Sequence, residues 1–508
     1  MRATLETRHG SGELFVEHID EQLGLSTREL EVATAITAGK SNVEIAGLLY
    51  CSRSTVSTHI ERILEKLGIR NRLEVALLVQ RFGLITLPLD RDDEAAQTAS
   101  DLILDLSRPR QGFSVAQVAK KRSIRIHALY PACEGQAEES AAMLRGAELA
   151  VDRSNVAGHD TGRGTLLLSS FVTPETLSTA IIEAVRSEPD AIMLGSFPAR
   201  ETTSAMVTAS DWGGPILHSM VAPQLSRTVA DSGAALLNVF QVAGTEIAYV
   251  RGFFRTLKDI VALGSWSPPR RRAVVVVRST VWEVMSETML GEISIEAGWQ
   301  LNDYLVFTGG AEEVARIAAR IAERRPEAVH LPIMSEFELS EFTAHLDVQD
   351  CHPMIYVDWR PSAPNFLERS GHSLEGVVWS TIVGAYTGPI ARRFQADFRN
   401  KFDDDPGIGA SAIHYDIVRV LNLAWSEMAR PWDYARVLKV LRTAVVGGAT
   451  GPIHFGGPGQ TALSFPEDSA DPSIAHTHLV FQIQGGRNRL IGPTGAAQYR
   501  FRPPAQHA

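Results

Sequence analysis

The sequence predicts a multidomain chain in which a small all-α domain precedes a two-lobed α/β domain. Three observations carry that reading. Residues 25–84 hold short helical stretches with clear start and stop signals. From Ser123 onward, short apolar strands alternate with helical stretches, the rhythm of parallel sheets covered by helices. That second part runs to residue 508, more than one open sheet ordinarily organises, so two lobes are expected. The whole chain is 44% apolar and 21% charged, enough to build a sizeable core and too apolar for general disorder.

In the first part, Ser26-Thr-Arg-Glu29 and Ser41-Asn-Val-Glu44 have the form of capping boxes, with Asn71-Arg-Leu-Glu74 a weaker version. Gly39 and Gly68 fall where helices need a left-handed terminator. Apolar residues follow helical spacing at Val32, Ala33 and Ile36, at Ile45 and Leu48, at Val56, Ile60, Ile63 and Leu64, and at Val75 and Leu78. The second and third helices are separated only by Tyr50-Cys51-Ser52, the short turn of a helix-turn-helix. Residues 26–83 carry 8 basic and 6 acidic side chains, whereas residues 123–508 carry 33 and 42. A mildly basic module on an acidic body suits nucleic-acid binding joined to another task.

A linker over residues 85–122 begins with an acidic run from Asp90 to Glu94 and closes on Lys120-Lys121-Arg122. Ala95–Leu106 has the spacing of a spacer helix. Beyond it, strands are expected at Ile124–Tyr130, Thr165–Phe171, Ala191–Gly195, Pro215–His218, Ala273–Arg278, Leu301–Phe307, Ala328–Ile333 and Met354–Asp358. Helices are expected at Glu138–Arg153, Pro174–Ser187, Val281–Ala297, Ala311–Arg324 and Glu336–His345. The domain plan is a tail (1–24), the helix-turn-helix (25–84), the linker (85–122), the two-lobed part (123–495) and a second tail (496–508). Within it, lobe I is expected over about 123–245 plus about 380–495, and lobe II over about 246–379.

Leu25-Ser-Thr-Arg-Glu-Leu-Glu-Val, Ala38-Gly-Lys-Ser-Asn-Val-Glu-Ile-Ala46, Ser54-Thr-Val-Ser-Thr-His59 and Lys66-Leu-Gly68 together resemble the LuxR-type helix-turn-helix. The resemblance implies a recognition helix over Ser52–Leu67 in the major groove of double-stranded DNA. Ser54, Thr55, Ser57 and Thr58 are then short donors near bases or phosphates. Arg53, Arg62, Lys66, Arg70 and Arg72 supply cations for the backbone. Ser57 and Glu61 stand where the family often has basic residues, which implies a non-standard operator.

Leu129-Tyr-Pro, Ala142 to Asn155, Asp190 to Ser196, Pro215 to Ser219, His414-Tyr-Asp416 and Gly451 to Phe455 resemble, in that order, the type I periplasmic-binding-protein fold of the branched-chain amino-acid and amide group. The resemblance implies two lobes closing on a small ligand at the C-terminal ends of parallel strands. By position it points to Ser196, Arg200, Thr202, His218 and Ser219 in the first lobe. Trp282 stands where an aromatic covers the ligand. Met334 and Glu336 follow a second-lobe strand, and Asp358, beside Trp359, stands where an acid holds an ammonium group.

The expected function is a one-component, ligand-responsive transcriptional regulator, a homodimer whose partners are double-stranded DNA and an amino-acid- or amide-like effector. The alternative is a ligand-binding or protein-interaction module with a degenerate DNA-binding domain. No cofactor is expected. Cys51, Cys133 and Cys351 are too few and scattered for a disulfide framework or thiolate cluster. His476-Thr-His478 lacks an evident acidic or thiol partner for a metal. No phosphate loop or nucleophile elbow is present, so catalysis is not expected. The first 25 residues hold no apolar signal region and no run is long enough to span a membrane, so a cytoplasmic location is expected.

Overall fold

The computed structural model describes residues 25–37, 45–46, 53–67, 75, 122–133, 136–157, 164–363, 366–370, 374–383, 388–426, 428, 430–493 and 497–504. The Tyr50–Ser52 turn, the capping boxes at Ser41 and Asn71, Gly39, Gly68, the N-terminal tail and all but Arg122 of the linker lie outside these residues.

In the small domain, α1 (Thr27–Thr37) and α2 (Arg53–Leu67) share a core of Leu25, Val32, Ala33, Ile36, Ile45, Val56, Ile63 and Val75. The Ser26 box forms as its sequence dictates. The Glu29 amide donates to Ser26 Oγ at 3.4 Å, and Glu29 Oε2 accepts from the Ser26 amide at 2.8 Å.

The large domain begins with β1 (Ile124–Pro131), α3 (Ala137–Ala157), β2 (Thr165–Val172), α4 (Leu177–Arg186), β3 (Ala191–Leu194), α5 (Ala199–Thr208), β4 (Ile216–His218), α6 (Pro223–Asp231) and β5 (Val239–Gln241). The strands form an all-parallel sheet in the order β2-β1-β3-β4-β5. Leu129, Ile192, Leu194 and Ile216 pack one face of it against the buried sides of α4, α5 and α6.

The chain then continues through α7 (Ile247–Ala262), β6 (Arg272–Val277), α8 (Ser279–Trp282), α9 (Glu287–Glu296), β7 (Gln300–Val306), α10 (Ala311–Arg324), β8 (Ala328–Leu331), α11 (Glu336–Val348), β9 (Met354–Val357), α12 (Phe366–Ser370) and β10 (Val378–Thr381). After these come α13 (Pro389–Phe402), α14 (Ala410–Trp425), α15 (Tyr434–Thr443), and the short strands β11 (Val446–Gly448), β12 (Gly451–Ile453), β13 (Ser464–Phe465) and β14 (His476–Thr477). Two strands, β15 (Leu479–Ile483) and β16 (Asn488–Gly492), complete the second sheet, ordered β16-β15-β10-β9-β8-β6-β7.

Five parallel strands of that sheet repeat the connectivity of the first: β7-β6-β8-β9-β10 mirrors β2-β1-β3-β4-β5. Strand β6 shows why its sequence is apolar throughout. Val274 and Val276 enter one core with α10 and α11, while Ala273, Val275 and Val277 enter another with α7 and α9.

Two expectations change. The helix expected over Val281–Ala297 is two helices, because Ser286 caps a fresh start by accepting the Met289 amide. Residues 479–492, expected in lobe I, pair antiparallel onto β10 and so belong to the second sheet. The chain therefore passes between the sheets three times: after β5, after β10 and before β15.

Candidate functional site

A doubly wound sheet binds ligands where its strand order reverses, outside the carboxyl ends of its strands. The first lobe's switch point lies between β1 and β3, at Ala132 and Ser196, and the second lobe's lies between β6 and β8, at Arg278 and Ile333. Side chains from the helices and loops that follow the strands meet across the two lobes.

On one side of the junction, Glu138 and Glu139 lie in the first turn of α3. Arg360, just after β9, donates to Glu139 Oε2 at 3.2 Å and lies 3.5 Å from Glu336 Oε2. Arg369 of α12 pairs with Glu336 and reaches Glu138 at 2.5 Å. Glu139 is buried, its Oε1 has no hydrogen-bond partner, and burial pushes its carboxyl up to about 7 although Arg360 opposes the rise. Burial acts the same way on Glu336, but the Arg369 hydrogen bond and both guanidiniums hold that carboxyl below the usual range.

On another side, the Thr280 hydroxyl donates to Glu246, the residue preceding α7, and Gln224 of α6 donates to the Thr280 carbonyl at 2.8 Å. Burial, with the Asp358 charge nearby, raises Glu246 to about 7. Val221, Ala248, Tyr249, Trp359 and Ile382 form an apolar cluster from both lobes.

Ser219, at the end of β4, accepts or donates at 3.1 Å with His414 Nε2, and the other nitrogen of that ring lies 3.5 Å from the Tyr130 hydroxyl. Burial drives His414 down to about 3 and His218 to about 4, so both rings are neutral at pH 7. His218 Nδ1 is buried without a partner. In the second lobe, His330 Nδ1 faces the Val276 carbonyl and Nε2 faces Asp358 Oδ1, each at 3.0 Å.

Of the residues expected to touch ligand, Ser219, Glu336 and Asp358 lie in these networks, and Ser196 is half-buried at the first switch point. Others are engaged differently. Met334 is fully buried in the core of the second lobe, its side chain committed to packing against that sheet. The Thr202 hydroxyl donates to the Pro198 carbonyl of its own helix start at 2.9 Å. Arg200 is exposed on α5. Trp282 is 43% exposed and stacks on Tyr304 with ring centres 4.4 Å apart. Glu139, Glu246, Arg360, His330 and His414 were not singled out as site residues. Only His414 carried a signal, as part of the His-Tyr-Asp string. A separate cavity of about 600 Å³, beside α7, β15 and β16, shares none of these residues.

On α2, Val56 and Ile63 are buried, while Thr55, Thr58, Glu61 and Arg62 are exposed and Ser57 is half-buried. Lys66 Nζ lies 2.6 Å from Glu29 Oε2. Arg53 and Ser54 fall in the helix but their side chains lie outside the described residues, as do Arg70 and Arg72 entirely. His476 bonds Thr450 at 3.1 Å and His478 faces Glu467 at 3.5 Å, so the two rings serve different partners. Among the described residues no group of three or more potential ligands is arranged to hold a metal, and no helix is long and apolar enough to cross a membrane.

This geometry defines a small helical domain joined to a two-lobed α/β fold. Residues 23–79 match the family model described as bacterial regulatory proteins, luxR family, and form a LuxR-type DNA-binding helix-turn-helix domain. The transcriptional regulatory protein LnrK of Bacillus subtilis is 38% identical over 68 residues, 13% of this chain and 31% of LnrK. LiaR of the same organism is 41% identical over 61 residues, 12% of this chain and 29% of LiaR. The chain thus spans about three tenths of the length of the curated relatives it matches. The large domain has the fold of a putative branched-chain amino acid ABC transporter protein from Silicibacter pomeroyi, with TM-score 0.67 and 19% identity over 75% of this chain and 99% of that one. It is similar also to LivJ of Streptococcus pneumoniae, solved in complex with isoleucine, with TM-score 0.57 and 14% identity over 73% of this chain and all of that one (100%).

Proposed function

We propose that the chain is an intracellular, one-component transcriptional regulator whose large domain senses a small polar metabolite, amino-acid- or amide-like, between its lobes. The observation that carries this reading is the joining, in one chain, of a LuxR-type domain to two doubly wound lobes whose helices and loops after the strands meet through paired polar groups. A ligand bound more tightly by one lobe arrangement than another shifts that equilibrium, typically by 1–3 kcal/mol of coupling. The readout is DNA binding by a homodimer through Thr55, Ser57, Thr58 and Arg62, with half-sites about 10 base pairs apart. Ser196, His218, Ser219, Glu336 and Asp358 are the candidate cleft groups, the last already paired with His330. The reading involves no catalytic step.

The test is thermal unfolding of the full chain against amino acids, amides, urea and polyamines. A raised midpoint with one class, accompanied by a change in duplex affinity, is expected. No shift with any compound supports instead a protein-interaction role for the large domain, which the internal pairing of Ser219, Asp358 and Glu336 would also suit.

A further inference from the structure

The last turn of α2 holds an arrangement that groove recognition does not require. Glu29 Oε2 accepts from the Ser26 amide at 2.8 Å, the Ser26 hydroxyl at 2.9 Å and Lys66 Nζ at 2.6 Å. The Glu29 side chain is only 4% exposed and the Lys66 side chain 42%. A buried carboxylate beside a small apolar core needs its counter-ion, because drawing the cation away leaves an unbalanced charge out of water. Burial acts to raise the Glu29 carboxyl, and the bonds from Lys66 and Ser26 outweigh it and hold the group below its ordinary range. α2 packs on the core through Val56 and Ile63, with Ile60, Leu64 and Leu67 partly buried against it. The ion pair at residue 66 adds to these non-directional apolar contacts a directional tie from the last turn of α2 to the start of α1.

We propose that Lys66 is a positioning residue, a clamp from α2 to the capping-box carboxylate of α1 that sets the angle at which the recognition helix is presented, and is not a phosphate contact. The assignment rests on the DNA-binding reading of residues 23–79 and departs from the sequence expectation for Lys66, which counted it among the phosphate-facing cations.

Three variants of the full chain separate the roles: Lys66→Met, Lys66→Arg and Glu29→Gln. Glutamine at the third helical position still serves a capping box, so Glu29→Gln removes the charge pair while keeping the helix start. Binding is measured across a salt series to the duplex that the wild-type chain enriches from a random-sequence pool. Lys66→Met and Glu29→Gln are each expected to weaken binding roughly three- to thirtyfold, with the double variant no weaker than either. The slope of log affinity against log salt stays at the wild-type value, and Lys66→Arg restores binding. If Lys66→Met lowers the slope by about one while Glu29→Gln leaves affinity unchanged or raises it, Lys66 touches phosphate and the clamp is overturned. Amide exchange over residues 53–67 reads the pair without DNA. Equal acceleration in both single variants supports the clamp, and unchanged exchange in both refutes it. A wild-type chain that enriches no duplex defeats the DNA-binding reading alone, and exchange then decides the clamp.

Discussion

Glu139 and Glu246 occupy the junction of the lobes from opposite directions, one at a helix start in the first lobe and one where the chain crosses to the second. Burial raises both carboxyls from 4.5 to about 7. Between those values the folded chain holds protons that the unfolded chain has released, so stability is fully present below 4.5 and is lost as pH rises through 7. Glu246→Gln removes one such penalty while leaving an oxygen for the Thr280 hydroxyl. At pH 8 it is expected to raise stability by on the order of 1–3 kcal/mol and to flatten the decline between pH 4.5 and 7, as followed by thermal unfolding. A decline unchanged by the substitution would place the titration elsewhere. Glu467 sets the opposite limb. Burial acts to raise it, but His478 and Arg255 bring it down to about 2, so its contribution is lost as pH falls toward that value. None of these carboxyls stood out in the sequence. Their chemistry comes from partners far along the chain, such as Arg360 for Glu139 and Thr280 for Glu246, and no spacing rule reports such a meeting. The Ser26–Glu29 box was legible because both partners lie within one turn.

At the scale of elements, α3 crosses α14 at Gly146, where an added Cβ would overlap the Ser411 backbone carbonyl. Helix propensity alone favours alanine over glycine by about 1 kcal/mol. Overlap with backbone cannot be relieved by a rotamer change, so the opposite sign is expected. Gly146→Ala should destabilise by about 1–3 kcal/mol in thermal or denaturant unfolding. A stabilised variant would show that the two helices have room to separate. The eight strands expected from the sequence are present; central ones such as Ala191–Leu194 and Arg272–Val277 are buried on both faces and read as apolar runs, while the edge strands Thr165–Val172 and Gln300–Val306 keep exposed positions. Val239–Gln241, as short as the recovered Ile216–His218, was missed because no glycine or proline directly precedes it to mark its start. Leu479–Ile483 and Asn488–Gly492 were missed for a different reason. They return antiparallel with no helix between them, outside the alternating rhythm that located the others.

For the whole molecule, Arg360 and Arg369 each span carboxylates of both lobes, Arg360 joining Glu139 in the first to Glu336 in the second and Arg369 joining Glu138 to the same Glu336. Arg360→Ala leaves Glu139 buried without its cation, at a cost on the order of 1–3 kcal/mol. The full chain at pH 8 is expected to show a larger radius of gyration in solution scattering, with the difference shrinking toward pH 5 as Glu139 takes up a proton. Identical scattering at both pH values would mean that the Arg369–Glu138 pair and the apolar cluster of Trp359, Tyr249 and Val221 hold the lobes without Arg360. The two-lobed plan was legible in the sequence because its repeating rhythm is set by burial. The identity of the groups facing each other across the lobes was not, since that depends on how two separate sheets are brought together.

Arg122, the last residue of the expected linker, donates to Asp190 Oδ1 at 2.7 Å, and the other oxygen of that carboxylate accepts the Arg125 amide at 2.8 Å. Its guanidinium also lies 4.9 Å from the centre of the Trp432 ring. The thread arriving from the N-terminal side is thus moored to the first lobe before β1 begins. Under the proposed sensing role, that mooring makes the first lobe the post and the second the gate, and a signal passed upstream would leave through the post.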